Sequence, residues 1–447
     1  MSDIFNEVRD GTVGHFWMDL AYVKDLKSAD SGYVRLHDDG HFWIELLATH
    51  RASSNWPVAN DAPPDSVETL YAATHAAGCV FFDAIEAENA RIMGATRASI
   101  TKYRSGGLLA GLYLRDVASD KFTEMQVTFP GVLFWSGIGG VKGISAQDEE
   151  ARAVSYSVSL RSAQPRETPE RRGVTVSLAS RWSVSGPEDN KLLSNPLTVT
   201  TRSRKPRSWI DHVTPILAIQ NLISLGFQGF VAADVGTARI ETFSAERPLS
   251  SPDLYVSELM HVPRATKPPK SLNEFPTFNL SDINGIRGVD AWVRLEQNHP
   301  RAAGPLAKIY RFGDSQAIET RLIEVAVAID YWIHVHRRTT KWAQVKKGDN
   351  PYSLALHVGP AFGEFVGDIT KWSKIFRGAY NDLKHNPRFK YGIAEIGAVA
   401  QSGEILLQCA LMNQVAGNKQ ITRKICESHR THYLGRQIRE IVKRGHL

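Results

Sequence analysis

The sequence contains little cysteine and no long apolar run. Its three cysteines, Cys79, Cys409 and Cys426, share no C-x-x-C spacing, which argues against a disulfide framework or a thiolate metal cage and favours a reducing compartment. Because no run of about 18 uncharged apolar residues occurs, no transmembrane helix is expected. The acidic N-terminal stretch MSDIFNEVRDG lacks the apolar segment of a secretory signal. These absences predict a cytoplasmic protein that does not contact a membrane.

Motifs for metals, cofactors and common hydrolases are also missing. There is no G-x-S-x-G elbow and no H-E-x-x-H pair, so nothing supports a serine hydrolase or a zinc protease of those types. The stretch HDDGH brings His37, Asp39 and His41 together, but Asp-Asp-Gly favours a tight turn over a metal site. The glycine-rich 137–143 lacks the Lys-Ser/Thr and the helix of a phosphate loop. We therefore predict no cofactor and no metal ligands.

Positive charge is concentrated in the last third of the chain. The whole sequence has 53 Lys+Arg against 47 Asp+Glu, a net charge of +6. From Gln316 to Leu447 there are 20 basic and 11 acidic residues, so the preceding part, with 33 against 36, is slightly acidic. This asymmetry indicates that the C-terminal part meets an anion, most plausibly nucleic acid. A basic surface that only maintains solubility would have the same composition.

The first two hundred residues have the texture of β-strands. The stretch 33–46 holds two strand-like runs around Asp-Asp-Gly, a favourable hairpin turn. Further strands are expected in 89–114 and 122–135, and 174–184 alternates apolar and polar residues like a half-buried strand. We predict a β-rich N-terminal domain over 1–300.

Helical patterns appear later in the chain. Apolar residues at helical spacing predict a helix over 209–230, and the proline-rich 261–276 is the strongest linker candidate. From Ser315, a candidate N-cap, the chain is predicted helical almost throughout, with a break at Gly359-Pro360. Four to five helices with short loops form a bundle, here placed at 305–447. The predicted fold class is α+β, with a β-rich domain before an all-α one.

The most informative stretch is KIFRGAYNDLKHNPRFKYG, residues 374–392. Arg377, Asn381 and His385 are spaced i, i+4, i+8, so on a helix they form one ridge, with Lys384 at its side. Asn386-Pro387 is expected to end this helix and leave His385 on the last turn, at the negative end of the helix dipole. The ridge fits either a solvated helix end or a site that handles a phosphodiester.

These side chains suit RNA cleavage without a metal. A general base takes the proton of the ribose 2′-OH, the oxygen attacks the adjacent phosphorus, and a general acid protonates the leaving 5′-oxygen. Cationic and amide donors stabilise the charge that develops on the phosphate. In this interpretation His385 is the acid or base, Arg377 holds the phosphate and Asn381 positions it.

The same stretch resembles the signature of HEPN ribonucleases, an Arg, often followed by Asn, and a His after four to six intervening residues. The wider chain resembles ApeA-type anti-phage HEPN proteins, through ARIMGATRASIT, FTEMQVTFPGVLFW, ILAIQNLISLGFQG and GVDAWVRLEQNHP in that order. The resemblance implies phage defence, an Apea-like HEPN bundle after the β-rich domain, and a homodimer with the active site between two HEPN domains. It also implies an RNA substrate, tRNA or another host RNA, and an N-terminal domain that senses infection through a phage-derived trigger or restrains the nuclease.

One departure from the family pattern keeps a second interpretation open. Seven residues separate Arg377 from His385, and Tyr380 stands where a strict pattern places the Arg. The alternative is a non-catalytic module that binds RNA or a protein. A third interpretation makes the β-rich domain a receptor for a small molecule or a carbohydrate, with the helical bundle serving only for dimerisation. Further candidate RNA-binding residues are the basic side chains near the ridge and after the first bundle helix: Lys384, Arg388, Arg337 and Arg338.

Overall fold

The computed structural model describes residues 3–49, 66–75, 77–91, 98–148, 150, 153–243, 252–262, 275–312, 316–336, 349–385 and 392–445. The predicted α+β class is confirmed, because a β-rich part precedes an all-helical part. None of the helices in these ranges combines the length and the apolar character needed to cross a bilayer.

The strands of the described ranges all pair in antiparallel fashion. They are β1 (Thr12–Trp17), β2 (Asp30–Leu36), β3 (Phe42–Thr49), β4 (Ser66–Thr74), β5 (Gly78–Arg91), β6 (Ala98–Leu112), β7 (Val117–Phe129), β8 (Val141–Gln147), β9 (Ala153–Leu160), β10 (Arg166–Glu167), β11 (Thr175–Ser180), β12 (Ser183–Ser185), β13 (Leu192–Ser194), β14 (Leu197–Arg207), β15 (Asp234–Thr242) and β16 (Asp253–Val256).

The α-helices are short in the first part and longer in the second. They are α1 (Asp3–Asp10), α2 (Leu133–Ser136), α3 (Trp209–Phe227), α4 (Ser257–Met260), α5 (Ile286–Asn298), α6 (Pro300–Phe312), α7 (Ile318–His336), α8 (Asn350–Val358), α9 (Pro360–Val366), α10 (Ile369–His385), α11 (Ile393–Ala416), α12 (Gln420–Cys426) and α13 (His429–Arg444). Single 3-10 turns lie at Leu20–Tyr22, Leu26–Ser28, Leu114–Asp116 and Leu280–Ile283.

The first strands close into a ring in the order β1-β2-β3-β6-β5-β4, and β4 pairs back onto β1. Alternate side chains of each strand point inward, and those of Phe16, Ile44 and Phe81 form a buried core that Phe5 of α1 also enters. The opposite face of β5 carries Phe82 into a second, larger core. The ring therefore has an apolar interior and one apolar outer face.

The HDDGH stretch is a hairpin turn, as predicted. It joins β2 to β3, with Gly40 at a φ of 79°, in the left-handed region that favours glycine. The backbone N–H of His41 donates to Asp39 Oδ1 at 3.0 Å, and Gly40 N–H donates to the carbonyl of His37 at 2.9 Å. Asp39 is therefore engaged in the turn itself.

Beyond the ring the sheet continues through β16, β15, β7, β14, β11 and β10, and α3 packs on β7 and β14. Helix α3 was predicted over 209–230 and spans Trp209–Phe227. Its first residue stacks on Phe82 of the ring, with ring centroids 4.7 Å apart. The apolar residues of α3 are spread over all of its faces, which is typical of a buried helix, and α3 lies between the sheet and the later helices.

The contacts of α3 join the two parts of the molecule. Trp292 of α5 donates to the carbonyl of Ala218 at 2.7 Å, and Gln408 of α11 donates to that of Leu225 at 3.2 Å. Both bonds are buried, and one continuous apolar core runs from the sheet into the helical part. The β-rich and helical parts are thus packed together through α3.

Helix α11 lies at the centre of the helical part. It packs against α5, α7, α8, α12 and α13, and nearly all of its side chains are buried. Trp372 of α10 donates to Ser402 of α11 at 2.9 Å, which fixes the buried face of α10 against this central helix. The expected break at Gly359-Pro360 separates α8 from α9.

Two sequence expectations are refined by the structure, and two others concern residues outside the described ranges. Val176 and Leu178 are buried as predicted, but the alternation does not continue, because Trp182 and Val184 are 42% and 46% exposed. The helical part begins at Ile286, so α5 and the start of α6 precede residue 305. Most of the linker candidate, 263–274, and the proposed cap Ser315 lie outside the described residues.

Candidate functional site

Helix α10 carries the ridge found in the sequence. Asp368 caps the helix, since its carboxylate accepts from the backbone N–H of Lys371 at 3.0 Å. One face is apolar and buried through Trp372, Ile375, Phe376 and Ala379. The opposite face is consequently left to polar residues, and its direction is set by the packing of the apolar face.

The predicted site residues on α10 are all exposed. Arg377 and Asn381 lie one turn apart, and His385 is the last residue of the helix. Lys384 lies with its ammonium 5.9 Å from the centre of the Tyr380 ring. The other predicted RNA-binding residues, Arg337, Arg338 and Arg388, lie outside the described residues.

Arg377 and Asn381 line an open cavity of about 690 Å³ between α6, α7, α8 and α10. Its size falls within the range of about 300–1,000 Å³ of small-molecule sites. The polar side chains that line it are Arg301, Asp330, Tyr331, His334, Asn350, Arg377, Tyr380 and Asn381. His385 stands one turn beyond Asn381 and does not belong to this lining. The structure therefore brings two of the three predicted catalytic residues into the cavity.

Polar contacts hold the walls of the cavity. Asn350 donates to Asp330 Oδ1 at 2.7 Å, which ties the start of α8 to α7. Tyr331 shares a 3.2 Å hydrogen bond between its hydroxyl and Nδ1 of His299. The guanidinium of Arg301 lies over the Tyr331 ring at 5.6 Å from its centre. These contacts give the α6 and α7 walls a defined shape.

Two arginines, Arg301 and Arg377, bring positive charge to the cavity. Neither Arg301 nor Arg377 makes an ion pair or a hydrogen bond with any residue in the described part of the chain. Asp330 is the carboxylate of the lining, and one of its oxygens is engaged by Asn350. Because neither arginine makes an ion pair with a described residue and the lining contributes a single carboxylate, the cavity is suited to an anion.

A cluster of rings supports the C-terminal end of α7 near this cavity. His336 lies with its ring centroid 4.0 Å from that of Trp332, and its Nδ1 is 3.0 Å from the Trp332 carbonyl. His299 packs 6.0 Å from His336, and its burial and this neighbour lower the pKa of His299. The neutral form that results suits a packing role, whereas His334 lines the cavity.

Several lining residues were not identified from the sequence. Arg301, Asp330, Tyr331 and Asn350 come from three helices and share no spacing with the ridge. Tyr380 was considered only as the residue that replaces a motif arginine, yet it lines the cavity and is half-buried. His334, near the C-terminal end of α7, also lines the cavity. Tertiary packing alone brings these groups together.

Comparison with known families covers the first part of the chain. Residues 13–288 match the family model described as ApeA N-terminal domain 1. The match includes the ring, the rest of the large sheet and α3, and it ends just inside α5. No curated protein and no solved structure matches the chain. Since the match covers more than half of the sequence, the chain belongs to the ApeA family of anti-phage proteins, as its sequence predicted.

Proposed function

We propose that this chain is an endoribonuclease of the HEPN type that acts in anti-phage defence. The observation that carries the proposal is the placement of Arg377 and Asn381 in a cation-rich cavity, with His385 on the next turn of the same helix. Membership of the ApeA family supports the role in defence. The basic C-terminal third supports RNA as the substrate.

The proposed reaction is transfer to the ribose 2′-oxygen. A base removes the 2′-OH proton, the 2′-oxygen forms a bond to phosphorus, and the bond from phosphorus to the 5′-oxygen breaks. An acid protonates that leaving oxygen, which yields a 2′,3′-cyclic phosphate and a 5′-OH end. His385 serves as acid or base, Arg377 offsets the charge of the phosphorane, and Asn381 donates one hydrogen bond to it.

The test of this proposal is the cleavage of total RNA by the full-length protein in EDTA. The expected products carry 2′,3′-cyclic phosphate ends, and His385→Ala should stop their formation. His432→Ala is a matched control, because His432 is an exposed histidine on α13, away from the cavity. Cleavage that survives His385→Ala, or that never occurs under any activating condition, would overturn the assignment.

A second function is favoured by one observation. Tyr380 occupies the position of the motif arginine and Arg377 lies one residue too far from His385 for the family pattern. A non-catalytic module that holds RNA or a protein is consistent with this departure. Binding of RNA with a steep salt dependence, without cleavage over long incubation, would select this function.

We also propose that the N-terminal domain regulates the helical part through their shared contacts. Arg171, in the loop between β10 and β11, donates to both carboxylate oxygens of Asp290 on α5, at 3.1 and 3.2 Å. Arg171→Ala should loosen this contact and change the basal cleavage rate. Arg204→Ala is the control, because the ion pair that Arg204 makes among the described residues is with Glu170 of the β-rich part, at 3.7 Å. If Arg171→Ala and Arg204→Ala cut RNA at the same basal rate, this contact does not regulate the helical part.

A further inference from the structure

We propose that the cavity between α6, α7 and α10 binds one nucleotide of single-stranded RNA next to the phosphate that is cleaved, and that Arg301 holds the phosphate of that nucleotide. The identity of the polymer rests on the proposed function. The existence of an anion site in the cavity does not, because it follows from the side chains of the cavity.

Arg301 is placed where a helix does not favour it. It is the second residue of α6, and a cation near a helix N-terminus is disfavoured by the helix dipole. No described carboxylate offsets that cost. The same dipole attracts an anion brought to this end of the helix. An arginine that is unfavourable for α6 alone becomes favourable once a phosphate binds beside it.

Tyr331 holds the Arg301 side chain ready for a ligand. The guanidinium lies over the Tyr331 ring at 5.6 Å, an arrangement that keeps the N–H groups at its edges free. The ring itself is fixed by the 3.2 Å hydrogen bond between its hydroxyl and His299. A guanidinium already held over a ring loses little conformational entropy when it binds a phosphate through two parallel hydrogen bonds.

The opposite wall supplies the rest of the subsite. Arg377 and Asn381 face the same cavity from α10, so an anion in it meets two guanidinium groups and an amide. Asp330 limits how much negative charge the cavity accepts, which fits one phosphate better than a run of several. The same carboxylate offers an acceptor to the amino group of a base.

The position of His385 places the cleaved bond outside the cavity. His385 is four residues beyond Asn381, about 6 Å along the helix axis. That distance is comparable with the step between neighbouring phosphates of an extended single strand. A nucleotide held in the cavity therefore leaves the next phosphate of the strand beside His385. Arg301 is in this view a substrate-positioning residue, whereas Arg377 acts on the cleaved phosphate by extending along α10 from the cavity.

The experiment measures binding without cleavage. The ligand is a short single-stranded RNA with 2′-O-methyl groups throughout, which cannot undergo 2′-transfer, and its affinity for the full chain is measured by fluorescence anisotropy at several salt concentrations. Arg301→Ala should weaken binding about tenfold, the effect of losing one charge-assisted contact. It should also reduce the salt slope by about 0.7, the release of one counterion from a single strand.

Arg436→Ala is the matched control. Arg436 is another exposed arginine stacked on a tyrosine, 5.3 Å from the centre of the Tyr433 ring, and it does not line the cavity. Arg301→Lys should restore the salt slope and only part of the affinity, because it keeps the charge and loses the paired donors. Unchanged affinity in Arg301→Ala, or equal losses in Arg301→Ala and Arg436→Ala, would overturn the proposal.

Two further arms separate this inference from the proposed function. If unmodified RNA is never cut but the modified RNA binds through Arg301, the subsite stands and the nuclease assignment fails. If RNA is cut and Arg301→Ala binds and cuts it normally, the nuclease assignment stands and the subsite is wrong. A nucleoside monophosphate should compete with the RNA only weakly. Tight binding of that free nucleotide, with no binding of RNA, would assign the cavity to a different ligand.

Discussion

Arg321 and Glu404 join α7 to α11 inside the helical part. Nε and Nη2 of Arg321 donate to both carboxylate oxygens of Glu404, at 2.9 to 3.1 Å. The two side chains are only 14% and 11% exposed. Because another face of α7 lines the cavity through Asp330 and His334, this ion pair helps to hold one wall of the candidate site in place.

Removing one partner of this pair should cost much more stability than removing both. Arg321→Ala leaves the Glu404 carboxylate buried without its counterion, and such a change destabilises by about 3–5 kcal/mol. The double replacement Arg321→Met with Glu404→Leu should lie closer to the parent protein. Urea unfolding followed by circular dichroism gives both values.

An exposed ion pair serves as the control for that experiment. Arg423 of α12 and Glu427, the residue that follows this helix, are paired at 3.5 Å, with both side chains about 60% exposed. Arg423→Ala should change the free energy of unfolding by no more than about 0.5 kcal/mol. A loss in Arg321→Ala as small as this would show that the buried pair does not hold α7 against α11.

The ridge on α10 should show a graded response in RNA cleavage. Arg377→Ala removes the cation that offsets the negative charge of the phosphorane, so the rate should fall by about 100-fold or more. Asn381→Ala removes one neutral donor and should have a smaller effect, whereas Tyr380→Phe should leave most of the activity. Single-turnover cleavage of a labelled RNA measures all three.

The folded state of all three variants needs a separate check. Tyr380→Phe needs it most, because Tyr380 packs against the core. Thermal melts should show Arg377→Ala and Asn381→Ala within about 0.5 kcal/mol of the parent, as expected for exposed positions. If Arg377→Ala cuts RNA as fast as the parent protein, the phosphate is held by another residue. Arg301 would be the next cation of the cavity to examine.

The free energy of unfolding should depend on pH through the titration of Glu296. Its Oε1 accepts from Asn221 at 2.5 Å, but its Oε2 is buried and has no hydrogen-bond partner among the described residues. Burial raises the pKa of Glu296 from 4.5 to about 7. The folded state therefore holds a proton that the unfolded chain releases, and stability should fall as the pH rises from about 4.5 to about 7.

Glu296→Gln should remove this pH dependence. At pH 8 the variant should be more stable than the parent protein, by up to about 3 kcal/mol, because it no longer buries a carboxylate. At pH 4 the two proteins should be alike. Glu319→Gln, at an exposed position of α7, should leave the profile unchanged. Parallel profiles for the parent and Glu296→Gln would contradict the assignment.

The strands could be predicted from the sequence far better than their partners. Period-two alternation identifies β11, the strand candidates 89–114 and 122–135 overlap β6 and β7, and Asp-Asp-Gly identifies the turn between β2 and β3. Closure of the ring depends on β3 pairing with β6 and β1 with β4. These pairings join segments far apart in the chain, so no local pattern carries them.

The candidate site could likewise be predicted only in part from the sequence. Arg377 and Asn381 were identified because they lie on one helix, where spacing determines which residues share a face. Arg301 and Asp330 reach the same cavity only through the packing of α6 and α7. Their sequence neighbourhoods, NHPRAAG and VAIDYW, contain no motif that links them to α10. Residues contributed by tertiary packing require the structure.

We expect the proposed nuclease to work as a homodimer that places two copies of His385 at one phosphate. Transfer to the 2′-oxygen needs both a base and an acid, and within the described part of the chain His385 is the only histidine on α10. A two-fold axis beside α10 would supply the second histidine through an isologous interface, the commonest arrangement of homodimers. Light scattering should therefore give twice the mass of the chain.

Mixed dimers provide the sharper test. When parent and His385→Ala chains are co-expressed in equal amounts and pair at random, about a quarter of the dimers contain two intact histidines. If both copies of His385 act on one phosphate, the activity should fall to about that fraction of the parent value. Independent sites would retain about half, because each parent chain would keep its own activity whatever its partner. A mixture that retains half of the activity, or a monomer that cuts RNA at the full rate, would therefore place the second proton-transfer group within the same chain.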